Sequence, residues 1–216
     1  MNHRPPHALL KALACAAAAL CIGSAHALPE AALQAAVAQF TEASKGKSEA
    51  TDASAEQFQA LLKAEPGHPL LMSYLGATTT LKARDAWAPW KKMSYAEDGL
   101  ALIDKAIGLL GPEHDQALVQ GTPISLQTRF VAANTFLALP EMFNRGPRGR
   151  QLLEEIQASP LFGKAPGGFQ GAVLMRSARQ AEQAKDLPRA RGFYQQVLAR
   201  QLPQAADAQA ALKGVQ

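Results

Sequence analysis

Apolar residues recur every three to four positions along most of this chain, and the strict alternation that marks a half-buried strand is nearly absent. Leu33, Val37 and Phe40 share one face of a helix predicted from Pro29 to Ala43. The polar stretch from Ser44 to Ser54, which contains Gly46, reads as a loop, with Asp52 or Ser54 as the cap of a second helix that buries Phe58, Leu61 and Leu62 and ends at Pro66-Gly67. His68 falls in the turn. Pro69 opens a third helix, a position where its missing N–H costs nothing, and Pro89 is expected to end or kink it. Within it Leu71, Leu75, Thr78 and Lys82 form one stripe, while Met72, Gly76, Thr79 and Ala83 form a second, small enough for a neighbouring helix to approach closely.

Ser94 and Glu97 have the spacing of a capping box for the next helix, which stops at Gly111-Pro112. Beyond it, Thr122-Pro123 reads as a cap with a first-turn proline, and Leu126, Phe130, Ala133 and Leu137 stripe the helix that follows, with Pro140 as its stop. Residues 143–149 read as a loop, 150–158 as a short helix, 169–185 and 188–201 as a helix pair, and 205–215 as a terminal helix. The pattern predicts an all-α fold.

Several stretches resemble the tetratricopeptide repeat. Met72, Leu75, Gly76 and Thr79 match the first half of that signature with its large residues replaced, and Ser54, Phe58 and Pro66 match the second half of the preceding unit. Near the C-terminus Leu174, Ser177, Ala178 and Ala181 are followed by Ala190 and Tyr194, with the small residues Ala178 and Ala190 twelve positions apart. Gly76 and Gly99 stand 23 positions apart, so residues 86–96 behave as an insertion, and residues 117–168 match no unit. The resemblance covers about half of residues 28–216 and implies degenerate helical hairpin repeats, an α-solenoid that binds proteins or peptides, without naming a ligand.

The N-terminus adds a location. Arg4 and Lys11 precede an uncharged run from Ala12 to Gly23 and the small-residue site Ala25-His26-Ala27, the pattern of a signal peptide cleaved after Ala27. The run is too short to span a bilayer comfortably. Residues 28–216 then form one exported, periplasmic domain with no transmembrane segment. Cys15 and Cys21 both lie in the leader, so the exported chain has no disulfide and no thiol chemistry. Losing Arg4 and Lys11 halves the formal net charge of +4, and with an exported location this argues against nucleic acid as a partner. Residues 141–216 nonetheless carry 11 basic and 6 acidic side chains, an excess that a solvated face, an acidic partner or lipid headgroups would accommodate.

Catalytic motifs are missing. His68 and His114 belong to no zinc-binding pattern, and no nucleophile elbow or phosphate-binding loop is present, so neither metal, cofactor nor catalytic residue is assigned. Asp85, Glu97, Asp98 and Asp104 leave room for a carboxylate-dependent cell-wall glycan hydrolase, although ion pairs and caps account for them more simply. Trp87 and Trp90, the chain's two tryptophans, are flanked by Arg84, Lys91 and Lys92. They read either as an aromatic platform with cationic edges or as core, and the burial habit of large aromatics favours core. Arg129 and Asn134 pose the same choice between a structural role and a groove, with Asp85 as one structural partner for Arg129.

The function expected is an envelope scaffold that binds a protein or peptide along a groove, with Ser73, Thr80, Arg84, Trp87, Trp90, Arg129 and Asn134 as candidate contacts. A structural subunit of an envelope assembly is a further alternative.

Overall fold

The computed structural model describes residues 29–215, and the leader read over residues 1–27 lies outside them. Among the described residues the fold is all-α. Its first four helices are α1 (Glu30–Ser44), α2 (Ser48–Ala64), α3 (Pro69–Asp85) and α4 (Pro89–Gly108). One helical turn, α5 (Glu113–Gln116), and a two-residue ribbon, β1 (Leu118–Val119) against β2 (Thr122–Pro123), lead into α6 (Ile124–Phe136). The chain closes with α7 (Gly146–Ala158), α8 (Gly167–Gln183), α9 (Leu187–Ala199) and α10 (Ala205–Leu212). Neighbours in sequence pack as pairs: α1 with α2, α3 with α4, α6 with α7 and α8 with α9. Further contacts of α2 with α3, α3 with α6 and α7 with α8 join each pair to the next.

Two helices are buried on nearly every side. In α3 every residue from Pro69 to Thr78 is buried, and α6 buries Ile124, Leu126, Val131, Ala132, Ala133 and Phe136. A helix apolar all round belongs inside, and the two clusters of core side chains show why. One cluster joins α1, α2 and α3 through Leu33, Phe58, Leu70 and Tyr74, and takes Ile124 and Val131 from α6. The other joins α4 to α6–α10 through Ile103, Leu126, Phe136, Leu152, Leu174 and Tyr194. The α6 helix therefore belongs to both.

The tightest helix contact is between α3 and α4. A Cβ added to Gly76 would lie 2.6 Å from the Gly99 carbonyl oxygen, and one added to Gly99 would lie 2.6 Å from that of Gly76. The stripe read in sequence as permitting close approach does so here, with Gly99 on the partner helix.

Several helix starts differ from the sequence reading, among them that of α6, where Thr122-Pro123 forms the second strand of the ribbon and stands before the helix instead of supplying its cap and first turn. The α2 helix begins at Ser48, so Asp52 and Ser54 are not caps: Asp52 pairs with Lys82 at 2.8 Å, and the buried Ser54 hydroxyl shares a 3.2 Å hydrogen bond with Thr78. Small polar residues that locally suggest a loop here form a face packed on α3, so tertiary contact overrides propensity. Likewise α4 begins at Pro89, leaving Ser94 in mid-helix, where its hydroxyl donates to Asp98 at 3.3 Å instead of capping. Residues 86–96 are thus a short turn and the first two turns of α4. In α7, Pro147 occupies the first turn and Gly149 sits against Leu137, so the glycine and proline that suggest a loop serve a helix start and a close contact. Gly167 and Gly168, read as a loop, open α8.

Replacing Gly76 or Gly99 with alanine is expected to destabilise the protein by roughly 1–3 kcal/mol, the usual cost of overpacking. Gly108, whose added Cβ would meet nothing within 4 Å, serves as the control. Its alanine variant should be neutral or more stable in the same denaturant titration.

Candidate functional site

The turn between α3 and α4 is three residues long. Pro89 disfavours helical geometry in the residue before it, and Ala88 is accordingly extended, with φ −83° and ψ 126°. Ala88 is also fully buried. Pinning this residue inward leaves Trp87 outside, 84% exposed, with Trp90 on the first turn of α4 at 68%. The two rings meet edge to face with centroids 6.2 Å apart. Met93, one turn on, is exposed as well, and so are Lys91 and Lys92. The expectation that the tryptophans fill the core is overturned: residues 86–96 form a short turn and the first turns of α4, and both rings stand in solvent.

Arg84 and Asp85 brace this tip from below. The Arg84 guanidinium donates to Asp85 through Nε at 2.7 Å and Nη2 at 3.0 Å, and to the carbonyl of Ala43 at the end of α1 at 2.9 Å. Asp85 also accepts from the Thr51 hydroxyl at 3.0 Å. These bonds hold the Asp85 carboxyl below its ordinary pKa, Arg84 foremost, against a smaller opposing effect of desolvation. Arg84 is therefore a structural tie between helices.

The remaining predicted contacts do not join it. Ser73 is fully buried, its hydroxyl 3.4 Å from the Thr128 carbonyl oxygen, and Thr80 is buried beside Gly99 with its hydroxyl bonded to Ala77. Both pack α3 against its neighbours and are closed to a ligand. Arg129 bonds the carbonyl of Ser125 at 3.3 Å and lies 3.7 Å from Glu155, not Asp85. Asn134 donates to Phe130 of its own helix at 2.9 Å and lines a cleft with Arg176 and Arg179 of α8. The seven candidates do not form one groove. Arg176 and Arg179 are missed by the sequence reading except through the basic excess of residues 141–216, because nothing local shows which face of α8 they occupy.

The carboxylates proposed for hydrolysis are dispersed. Asp85 is held by Arg84, Asp98 accepts from Ser94, and Asp104 forms a two-pronged pair with Arg145 at 3.1 and 2.7 Å. Glu97 is exposed. Among the described residues no group of three or more histidine, cysteine, aspartate or glutamate side chains is placed to hold a metal ion. Of the two histidines among the described residues, His68 caps α3, its Nδ1 accepting from the Leu71 N–H at 3.5 Å, and His114 Nδ1 accepts from the Gly111 N–H at 2.9 Å in the turn between α4 and α5. Among the described residues no helix is long and apolar enough to cross a membrane.

Comparison of the chain with protein-family models, curated proteins and solved structures finds no match.

Two measurements check this geometry. Tryptophan emission should already be solvent-like in the native protein and shift little on unfolding, and Trp87→Ala should change stability by less than about 0.5 kcal/mol, as at a surface site; a loss of 3 kcal/mol or more would place the ring in the core. The second concerns His68, whose pKa is lowered by burial and then by the nearby charge of His114. Its unfolded form binds a proton first, so this contribution is present above about pH 6.5 and lost as pH falls through the lowered folded value. His68→Asn, which retains a capping acceptor, should flatten the stability profile in that window.

Proposed function

We propose that this chain is an exported, non-catalytic adaptor of the bacterial envelope, built of degenerate tetratricopeptide-like helix pairs, which holds a protein partner through the tip of its α3–α4 hairpin. The observation that carries the reading is the exposed Trp87–Trp90 pair. Each tryptophan left in water forgoes a burial worth roughly 1.5–3 kcal/mol or more, so a protein that presents two side by side retains that free energy for an association. The pair stands on a rigid base, with Ala88 buried below and Arg84 tying the end of α3 to α1. Rigid aromatic anchors of this kind dominate binding energy at protein interfaces. Lys91 and Lys92 at the edge favour a partner whose aromatic-accepting pocket has an acidic rim.

Supporting the repeat architecture are the pairwise helix packing, the fully buried Ala178 and Ala190, and the close contact made by Gly76. The leader pattern of residues 1–27 supports export. The groove expected to run through Ser73 and Thr80 is replaced here by the hairpin tip, because those two residues are buried.

An affinity pull-down from envelope extract tests the reading with wild type and the Trp87→Ala/Trp90→Ala double variant, both confirmed as folded. Loss of about 2 kcal/mol or more of binding, some thirtyfold in affinity, is the expected result. Equal recovery of every partner by the two proteins would remove the tip as the interaction site. Binding of the wild type to anionic vesicles, abolished in the double variant, would replace the protein partner with a lipid surface.

A further inference from the structure

Away from the tryptophan tip, α6, α8 and the start of α10 enclose an open cleft of about 290 Å³. Phe130 and Asn134 line it from α6, Arg176 and Arg179 from α8, and Gln204 and Asp207 from the C-terminal end. The bonding of Arg176 is unusual for this protein. A guanidinium carries five N–H donors, yet the hydrogen bond it makes is a long one, from Nη2 to the Asn134 carbonyl at 3.5 Å. Its Nε is sealed from solvent and has no partner among the described residues. Five other arginines have carboxylates: Arg84 has Asp85, Arg129 and Arg148 share Glu155, Arg145 has Asp104 and Arg189 has Glu154.

Arg179, three positions further along α8, turns a second cation to the same cleft and makes no ion pair among the described residues. Asp207 is the one acidic residue in the lining and pairs with neither arginine, so the cleft keeps a net positive charge. Burial, and then the charge of Arg179, both press Arg176 toward giving up its proton. Partly burying a cation without a counter-charge and setting another beside it costs stability, a cost that a bound anion would reverse.

We propose that this cleft is a binding site for an oxyanion carried on a compact apolar group. Arg176 and Arg179 supply paired donors whose fork matches a carboxylate or phosphate. Phe130, held edge to face against Phe169 with centroids 5.4 Å apart, forms the apolar wall. The volume lies at the lower end of the range for small-molecule sites and suits a ligand about the size of a substituted benzene ring. This site is independent of the tryptophan tip.

The test is thermal unfolding of the full chain in chloride buffer at constant ionic strength, with phenyl phosphate, benzoate or inorganic phosphate added in turn. Phenyl phosphate or benzoate should raise Tm along a saturable curve, and which of them binds more tightly distinguishes a phosphate from a carboxylate ligand. Inorganic phosphate should bind more weakly, lacking the group that lies on Phe130. Arg176→Met should abolish the saturable rise while leaving Tm in chloride unchanged or higher, since it removes an uncompensated charge. Arg179→Met, at an exposed position, should weaken binding roughly ten- to hundredfold and remains informative if the first variant fails to fold. The proposal is overturned if neither aromatic anion gives a saturable rise, if both variants respond as wild type does, or if Arg176→Met loses stability in chloride and keeps the response.

Discussion

Where α3 crosses α4, backbone touches backbone. Gly76 and Gly99 each face the other's carbonyl at a distance that no side chain would survive. Beyond the crossing, nine residues run on from Gly76 to the end of α3, and ten separate the start of α4 from Gly99. At 1.5 Å per residue the hairpin reaches about 14 Å past its crossing point. Trp87 and Trp90 are exposed because they stand at the end of that reach, and the turn is stiff because α1 and α2 brace it through Arg84 and Asp85. A looser crossing would leave the same residues on an arm free to fold back and bury its aromatic rings.

The other organising demand falls on α6, which supplies side chains to both apolar clusters while facing α3 across a seam of small polar residues. Ser73 reaches the Thr128 carbonyl across this seam, while the hydroxyls of Ser125 and Thr128 are buried without a partner. Apolar packing alone would let α6 rotate between its neighbours. A few hydroxyls that gain a partner only in one register discriminate against those alternatives, at a cost in stability borne by the ones left unpaired.

How much of this was legible in the sequence follows from whether the deciding contact is local. The small stripe through Gly76 is visible because helical periodicity brings Met72, Gly76 and Thr79 to one face whatever surrounds them. The stops at Pro66 and Pro140 are local for the same reason. Ser48 to Ser54 misled because its helix exists through what it packs against, and Ser94 because a cap sequence is only a cap where the helix begins. The tryptophans misled in a third way. Their spacing of three was plain, but whether the face they share looks inward depends on Ala88 being the residue pinned to the core, which composition does not reveal. Arg176 is the hardest case, since an arginine within an apolar helix gives no sign that its neighbours will leave it without a carboxylate.

The tip and the cleft are the places where this fold departs from its own rules. Elsewhere among the described residues most large apolar side chains are covered, with Leu118 and Met142 exposed singly, and Arg84, Arg129, Arg145, Arg148 and Arg189 meet carboxylates, so the chain has the means to satisfy both kinds of group. A rule broken by chance would be broken singly and at loosely held positions. Here the departures come in pairs, two tryptophans in edge-to-face contact and two arginines on one helix face, and each pair is mounted on well-packed elements. Such placement holds unsatisfied groups in fixed geometry, the condition under which an incoming partner recovers their free energy without first having to order them. The two surfaces differ in what they lack: the tip lacks apolar cover and the cleft lacks negative charge. A ligand that made good each lack would therefore differ in chemistry, apolar at the tip and anionic at the cleft.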